Sequence, residues 1–330
     1  MSAIVLAAIL IVIALCFDFF NGMQDSANMV ATLISSRALA PRKAMALVAV
    51  CELLGPFLFG VSVATTLGSK VVPPERVTIA VTLAGLLAAI AWSLTTLRLG
   101  IPSSSSHALV GGIVGAAIAG YGVQVINIAG LSTVLIALFA SPLLGLLFGY
   151  VGIKLLLFLL RGASPHVNVW LRRAQWFTAA GLALSYGAND SQKTMGIITM
   201  GLVATRLLPR FQVPLWVIAS AAGAIALGTF IGGWRVIRTL GGRFYKVRPI
   251  HALTSQISSA AIILGAALLG GPVSTTQVVS SSIVGAGSGQ RASQVRWGVA
   301  TELAAAWLLT MPATALLAAG LYFVISQAVR

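Results

Sequence analysis

The chain has 330 residues, 58% of them hydrophobic and 8% charged, with mean hydropathy +0.99 and formal net charge +15. A soluble domain clothes its surface with roughly 25% charged residues, so this composition excludes one and places most of the outer surface in lipid. The apolar stretches are long rather than alternating, which predicts an all-α integral membrane protein and not a β-barrel. The basic residues sit in short loops, so topology accounts for the charge and no nucleic-acid partner is implied.

Taken in chain order, apolar segments fall at 3–35, 44–67, 77–99, 107–120, 130–160, 174–205, 213–234, 250–270, 277–287 and 297–326. The first runs straight into a polar motif and predicts a retained helix rather than a cleaved signal. That motif, Asn21-Gly22-Met23-Gln24-Asp25-Ser26-Ala27-Asn28, and its counterpart Tyr186-Gly187-Ala188-Asn189-Asp190-Ser191-Gln192-Lys193 interrupt the first and sixth segments. Both carry Gly and Asn, and a helix break is expected at each, with backbone groups freed to bind ions. Segments 107–120 and 277–287 are too short for an ordinary span of about 20 residues. They follow Pro102-Ser103-Ser104-Ser105-Ser106-His107 and Pro272-Val273-Ser274-Thr275-Thr276-Gln277, and read as the second arms of two re-entrant hairpins. Cys16 and Cys51 lie in apolar stretches and are expected to be small core residues.

The motifs form a gapped repeat. The two Asp residues stand 165 positions apart and the two Pro residues 170. Pro102 to Ala116 against Pro272 to Ala286 agrees at Pro, at Ser104/Ser274 and at the closing Ile-Val-Gly-Ala, while Ser105/Thr275 and Ser106/Thr276 keep the hydroxyl. Around the acids, Gly22/Gly187, Asp25/Asp190 and Ser26/Ser191 coincide. The expected organisation is a first membrane repeat over 1–160, a basic linker over 161–173 and a second repeat over 174–330. Basic residues cluster at Arg37, Arg42 and Lys43, at Arg161, Arg172 and Arg173, and at Arg235, Arg238, Arg243, Lys246 and Arg248. The alternate loops carry only Lys70 and Arg76, or Arg206 and Arg210. With the rich loops cytoplasmic, the two Asp helices cross in opposite directions and the N-terminus is external, which is an inverted repeat.

The acidic residues number six: Asp18, Asp25, Glu52, Glu75, Asp190 and Glu302. Glu75 belongs to a Pro-Pro-Glu-Arg loop and reads as solvated. An Asp in mid-membrane costs on the order of 3 kcal/mol on insertion scales, so one kept there faces a cavity or a partner. Asp25 and Asp190, at matching points of two repeats, therefore read as a cation or proton site, the competing reading being a structural carboxylate that caps freed amides. Glu52 is a further cation or proton candidate, whereas Asp18 and Glu302 read as interfacial or structurally paired. The hydroxyl rows Ser103–Ser106 and Ser274–Thr276 precede short helices, whose N-terminal amides and positive dipole end can hold an oxyanion. Ordinary Ser/Thr capping is the alternative. Lys193, three residues after Asp190, can pair with it or attract the anion. His107 can donate to the anion, carry a proton or be structural, and His166 and His251 read as loop residues. No metal-ligand spacing, phosphate loop or nucleophile elbow stands out, which argues against a nucleotide-driven pump and implies no cofactor.

At these four motifs the chain resembles the inorganic phosphate transporter (PiT) family. Gly187-Ala188-Asn189-Asp190 matches the duplicated Gly-x-Asn-Asp element, and Pro102 to His107 and Pro272 to Gln277 match its hairpin tips. The resemblance covers nearly the whole chain, and Phe20-Asn21-Gly22 with Asn189 to Lys193 is most similar to the compact bacterial branch associated with low-affinity phosphate uptake. It implies a multi-pass protein of the cell inner (plasma) membrane that takes up inorganic phosphate with Na+ or H+, has an inverted-repeat helical fold and often dimerises. Carried over by position, Asp25, Asn28, Asn189 and Asp190 form the coupling-cation region; Glu52 stays a further candidate on its own position in an apolar segment. Ser103, Ser104, Ser105, Ser106, Ser274, Thr275, Thr276 and Gln277, with Lys193 and His107, hold the phosphate. In a sodium-coupled protein Asp25 and Asp190 ligate the Na+. The chain departs from the family at Gln24, where Asn or His is common, at Gln277 in place of the tip His, and at Gln256 in place of Glu; the long central loop of animal members is missing. The compact branch is associated with proton coupling, but Gln24 cannot titrate, which tilts the reading towards Na+. Sulfate is the rival substrate. A membrane enzyme acting on phosphorylated lipid would need clustered acids or His near an interface, and a passive anion channel is the remaining alternative.

Overall fold

In lipid nothing but the chain itself can satisfy the backbone, so each apolar run closes into helix. The computed structural model describes residues 2–70, 78–234, 237 and 247–329. Among them lie eleven α-helices and no strand: α1 (Ala3–Ser35), α2 (Pro41–Phe59), α3 (Ser62–Lys70), α4 (Ile79–Leu99), α5 (Ser105–Tyr121), α6 (Ile128–Leu159), α7 (Val167–Ala204), α8 (Leu215–Ile231), α9 (Pro249–Leu268), α10 (Thr275–Arg291) and α11 (Trp297–Val329). Five of them, α1, α4, α6, α9 and α11, are long and apolar enough to cross a membrane, and the bent pair α2–α3 makes a sixth candidate. The protein is a multi-pass membrane protein. Glu75, Arg76, Arg235, Arg238, Arg243 and Lys246 lie outside the described residues.

Among the described residues the elements other than α3 recur in the same order in the two halves, down to the ends of the first helix of each. α1 and α7 both close on an Arg in the left-handed region, Arg37 at φ 55° and Arg206 at φ 60°. The following amides, Ala38 and Leu207, each reach back to a carbonyl at 2.9 Å, those of Leu33 and Leu202. α6 and α11 carry internal prolines, Pro142 and Pro312. α7 starts at Val167, so the stretch between the halves that lies outside helix is short, and Arg172 and Arg173 sit on the first turns of α7.

The halves interlock by exchange. α1 packs on α8, and α7 on α2; α5 packs on α11, and α10 on α6. Glycine sets the spacing. A Cβ on Gly22 would come within 2.0 Å of the Ile225 carbonyl oxygen, and one on Gly187 within 2.0 Å of the Glu52 carbonyl oxygen. The reciprocal contacts are those of Gly228 against Phe19 and Gly55 against Leu184. α6 and α11 lie outermost and expose Leu143, Leu147, Phe148, Leu308, Leu309 and Leu316.

Two expectations are corrected. α1 and α7 are not broken at their Asp motifs; both run as uninterrupted helix through them. The motif glycines serve close approach of backbones rather than a chain break, and no proline or positive φ occurs there. The break falls instead between α2 and α3, which are bent by 79° at Gly60, whose φ is 80°. Its freed groups are met by one side chain of α7: Gln192 Oε1 accepts from Val63 N at 2.7 Å and Ala64 N at 3.2 Å, and Gln192 Nε2 donates to Gly60 O at 2.6 Å. The cysteines are not core residues, since Cys16 is exposed and Cys51 half-buried. An apolar neighbourhood does not mark the interior here, because the lipid-side surface is equally apolar.

Gly22→Ala and Gly187→Ala should each destabilise the protein by about 3 kcal/mol, since backbone cannot yield as a side chain can. Gly223→Ala, where a Cβ meets nothing within 4 Å, is the control. Thermal unfolding in detergent checks this; equal midpoints for all three would show that the helices are not so close.

Candidate functional site

The hairpin tips meet at the centre of the molecule. Gly100 turns the chain out of α4 at φ 69°, and Gly270 turns it out of α9 at φ 73°. The strand-like residues that follow end at Ser104 and Ser274, which cap α5 and α10 by accepting from His107 N at 3.2 Å and Gln277 N at 3.4 Å. Capping and the central position coincide, because Ser274 Oγ donates to Ser104 Oγ at 2.7 Å, with Ser104 in turn 2.7 Å from His107 Nδ1. Two positive helix ends thus point at one spot.

Each motif aspartate is tied to the tip of the other half. On α1, Asn28 Nδ2 donates to Asp25 Oδ1 at 2.9 Å and to Thr276 Oγ1 at 3.0 Å, while Thr276 Oγ1 donates to Asp25 Oδ1 at 3.0 Å. On α7, Lys193 Nζ forms an ion pair with Asp190 Oδ1 and donates to Ser106 Oγ at 2.6 Å; Ser106 Oγ donates to Val273 O at 2.9 Å. Polar partners are found by crossing between halves, since lipid and neighbouring apolar side chains supply none.

A second tier holds the tips to the helices of their own half. Gln24 Nε2 donates to Ser103 O at 3.2 Å, and Asn189 Nδ2 donates to Gly271 O at 3.2 Å. The Ser103 hydroxyl is engaged from outside, by Trp92 Nε1 at 2.9 Å and Thr310 Oγ1 at 3.2 Å. Ser105, Thr275 and Gln277 are buried in the same tips, Thr275 beside Tyr186. Gln256, on α9, accepts from Thr178 Oγ1 at 2.5 Å and donates to Thr32 Oγ1 at 2.9 Å, a neutral link between α9, α7 and α1.

All of the expected site residues are buried, and several keep an oxygen without a hydrogen-bond partner: Asp25 Oδ2, Asn28 Oδ1, Asn189 Oδ1, Asp190 Oδ2 and both oxygens of Glu52. The Thr229 hydroxyl lies beside Glu52 but donates to Gly22 O at 3.1 Å. Such hard oxygen donors suit a small hard cation. No group of three or more His, Cys, Asp and Glu suited to a metal occurs among the described residues.

Sequence reasoning underrated Asp18. It is fully buried on α1, and Thr194 Oγ1 of α7 donates to its Oδ1 at 2.6 Å. Gln192 and Trp92 were not singled out either; a polar side chain one residue before Lys193 was the available signal for the first. Glu302 is exposed, and His251 is structural, bonded to Arg248 N at 3.1 Å and to Gln290 Oε1 at 2.6 Å.

A polytopic bundle with two opposed hairpin tips and paired intramembrane carboxylates at its centre is a membrane transporter rather than an enzyme. The sequence profile of the phosphate transporter family matches residues 21–168 and 160–318, and the chain belongs to that family. It is 41% identical over 328 residues to a probable low-affinity inorganic phosphate transporter of Bacillus subtilis, covering 98% of each chain. It is 44% identical over 325 residues to a protein of the same description from Mycobacterium tuberculosis, covering 96% of this chain and 77% of that one. The solved structure of a sodium-dependent phosphate transporter shares the fold, with TM-score 0.90 at 24% identity over 98% of this chain and 99% of the other. The protein accordingly resides in the plasma membrane.

The inter-tip contact can be tested by a double-mutant cycle. Ser104→Ala and Ser274→Ala should each cost about 1 kcal/mol through the lost cap, with a coupling energy between them of about 0.5–3 kcal/mol. Strict additivity of the unfolding free energies would mean that the tips do not touch.

Proposed function

We propose that the protein imports inorganic phosphate by symport with a monovalent cation, Na+ in preference to H+. The observation that carries this reading is the pairing of two hydroxyl-bearing helix ends with two carboxylate motifs, each carboxylate answering to the tip of the opposite half. A tetrahedral anion between the tips would replace the Ser274–Ser104 hydrogen bond and take donors from Ser104, Ser274 and the amides of α5 and α10. A cation at Asp25 would use Asp25 Oδ2 and Asn28 Oδ1, with Asn189 Oδ1 and Asp190 Oδ2 as the matching oxygens of the second half. Cation and anion then support each other's binding, which is the physical content of coupling.

The names of the relatives support phosphate as substrate. Chemistry supports it as well: phosphate carries a proton at neutral pH and can donate a hydrogen bond to an acceptor of the site, whereas sulfate cannot. Na+ is favoured by the hard oxygen set and by Gln24, whose bonded amide offers no titratable group. The sodium dependence named for the related structure points the same way.

Asp25→Asn should abolish gradient-driven accumulation of labelled phosphate in proteoliposomes, because an amide neither balances a mobile cation nor takes up a proton, and Asp190→Asn should abolish it by leaving the buried Lys193 ammonium unpaired. Well-folded variants that accumulate phosphate normally would remove the carboxylates from the mechanism. At fixed pH, replacing Na+ by choline should stop uptake in the unaltered protein; full activity in choline would overturn the sodium assignment.

The two repeats are proposed to be inverted, with the 161–173 stretch and Arg248 on the cytoplasmic side. The reciprocal packing of α1 on α8 and α7 on α2 supports this arrangement. Cysteines at positions 172 and 210, in a background without Cys16 and Cys51, should be labelled from opposite faces of the membrane. Labelling of both from one face would mean a parallel repeat.

A further inference from the structure

Lys193 occupies, in the second half, the place that Asn28 occupies in the first. Each lies three residues beyond the motif aspartate, and their separation is the 165 positions that separate Asp25 from Asp190. Their partners correspond as well, since Thr276 and Ser106 stand 170 positions apart, as the tip prolines do. The bonds made by Asn28 and Lys193 correspond, while the hydroxyls differ: Thr276 Oγ1 donates to Asp25 Oδ1 at 3.0 Å, and Ser106 Oγ to Val273 O at 2.9 Å. Asn28 Nδ2 donates to Asp25 Oδ1 at 2.9 Å and to the Thr276 hydroxyl at 3.0 Å. Lys193 Nζ donates to Asp190 Oδ1 and to the Ser106 hydroxyl at 2.6 Å.

What differs is charge. The Asn28 amide brings no charge to the buried Asp25 carboxylate, which makes no ion pair, whereas the Lys193 ammonium is directly ion-paired with Asp190. A buried carboxylate without a counter-charge must acquire a cation or a proton, and one already ion-paired need not. Lys193 is also held too firmly to act as a freely swinging anion hook: its side chain has no exposure, and two of its three N–H donors are spent inside the triangle.

We propose that Lys193 is a resident cation, filling with its own ammonium the half-site that the repeat would otherwise offer to a second mobile ion. One mobile coupling cation then binds at these motifs, at Asp25 and Asn28, for each phosphate carried. This rests on the symport reading above. It makes the two halves unequal in function although their geometry is nearly matched: ion binding reorganises the tip that carries Thr276, while the tip that carries Ser106 is anchored to α7 in every state in which the Lys193–Asp190 pair persists.

The test is a count of coupled ions. In proteoliposomes with the membrane potential clamped at zero, a tenfold Na+ gradient stores about 1.4 kcal/mol per ion, so one ion sustains about tenfold phosphate accumulation and two about a hundredfold. If uptake proves to follow H+, the same count is made with a pH gradient and the dihydrogen phosphate ion. Wild type should give about tenfold. Lys193→Asn, which restores the first-half arrangement to the second, should raise this towards a hundredfold, and the Asp190→Asn/Lys193→Asn double variant, neutral at both positions, should return it to about tenfold. A wild-type value of a hundredfold overturns the proposal, and so does a Lys193→Asn protein that still gives tenfold. A raised phosphate KM with an unchanged ion count would make Lys193 an anion ligand instead. Should Lys193→Asn fail to fold, the wild-type and double-variant counts decide. Should the protein carry no phosphate under any gradient, the symport reading fails by itself. The resident-cation assignment is then read from equilibrium 22Na+ binding to detergent-purified protein, one site in wild type and two in Lys193→Asn, with equal numbers in both overturning it.

Discussion

A carboxylate in the middle of a helix bundle in lipid has no solvent to fall back on, so it dictates where polar groups of the rest of the chain must go. Asp25 and Asp190 are such groups, and each finds its hydroxyl on the opposite half, Asp25 through Thr276 directly and Asp190 through Lys193 and Ser106. That crossing requires both hairpins to reach the centre, so that Ser104 and Ser274 touch and two helix N-termini converge. The convergence of the two helix ends is therefore a consequence of satisfying the acids. The carboxylates and the hydroxyl-bearing tips share one set of hydrogen bonds.

Close backbone packing makes the crossing possible. Gly22 and Gly187 bring α1 against α8 and α7 against α2, and a methyl group at either place would enter the space of a carbonyl oxygen. With the backbones so near, α1 and α7 keep their helical hydrogen bonds through the polar motifs, and only side chains are presented to the ligand region. Side-chain oxygens are thus what α1 and α7 offer to the centre, among them Asp25 Oδ2, Asn28 Oδ1 and Asp190 Oδ2. The backbone break at Gly60 offers no free groups to this task, being closed by Gln192.

Near-symmetry is what gives the small differences their meaning. Gln24 and Asn189 perform the same duty at the two tips with side chains of different length, and the fold absorbs the change. Asn28 and Lys193 also make corresponding bonds to an aspartate and a hydroxyl, but one is neutral and the other charged, and the proposed inequality of the two half-sites rests on that difference. Membership of the phosphate transporter family fixes the class of cargo to be tested; the arrangement of charge inside this particular chain bears on how many ions accompany it.

Much of this was legible in the sequence because lipid imposes simple rules. Composition alone required buried backbone hydrogen bonds and hence helices, and the spacing of Asp25 from Asp190 and of Pro102 from Pro272 revealed which segments would share a centre. The sequence could not show that α1 and α7 stay whole, because glycine serves both breaks and close approach, and only the neighbouring carbonyls of Ile225 and Glu52 distinguish the two. Nor could it place Cys16 on the surface or Asp18 in the interior, since apolar residues surround both and lipid looks like core from within the chain. Which hydroxyl meets which acid, Thr276 with Asp25 and Ser106 with Lys193, was decided only by the exchange of helices between the halves, a long-range arrangement that no local pattern encodes.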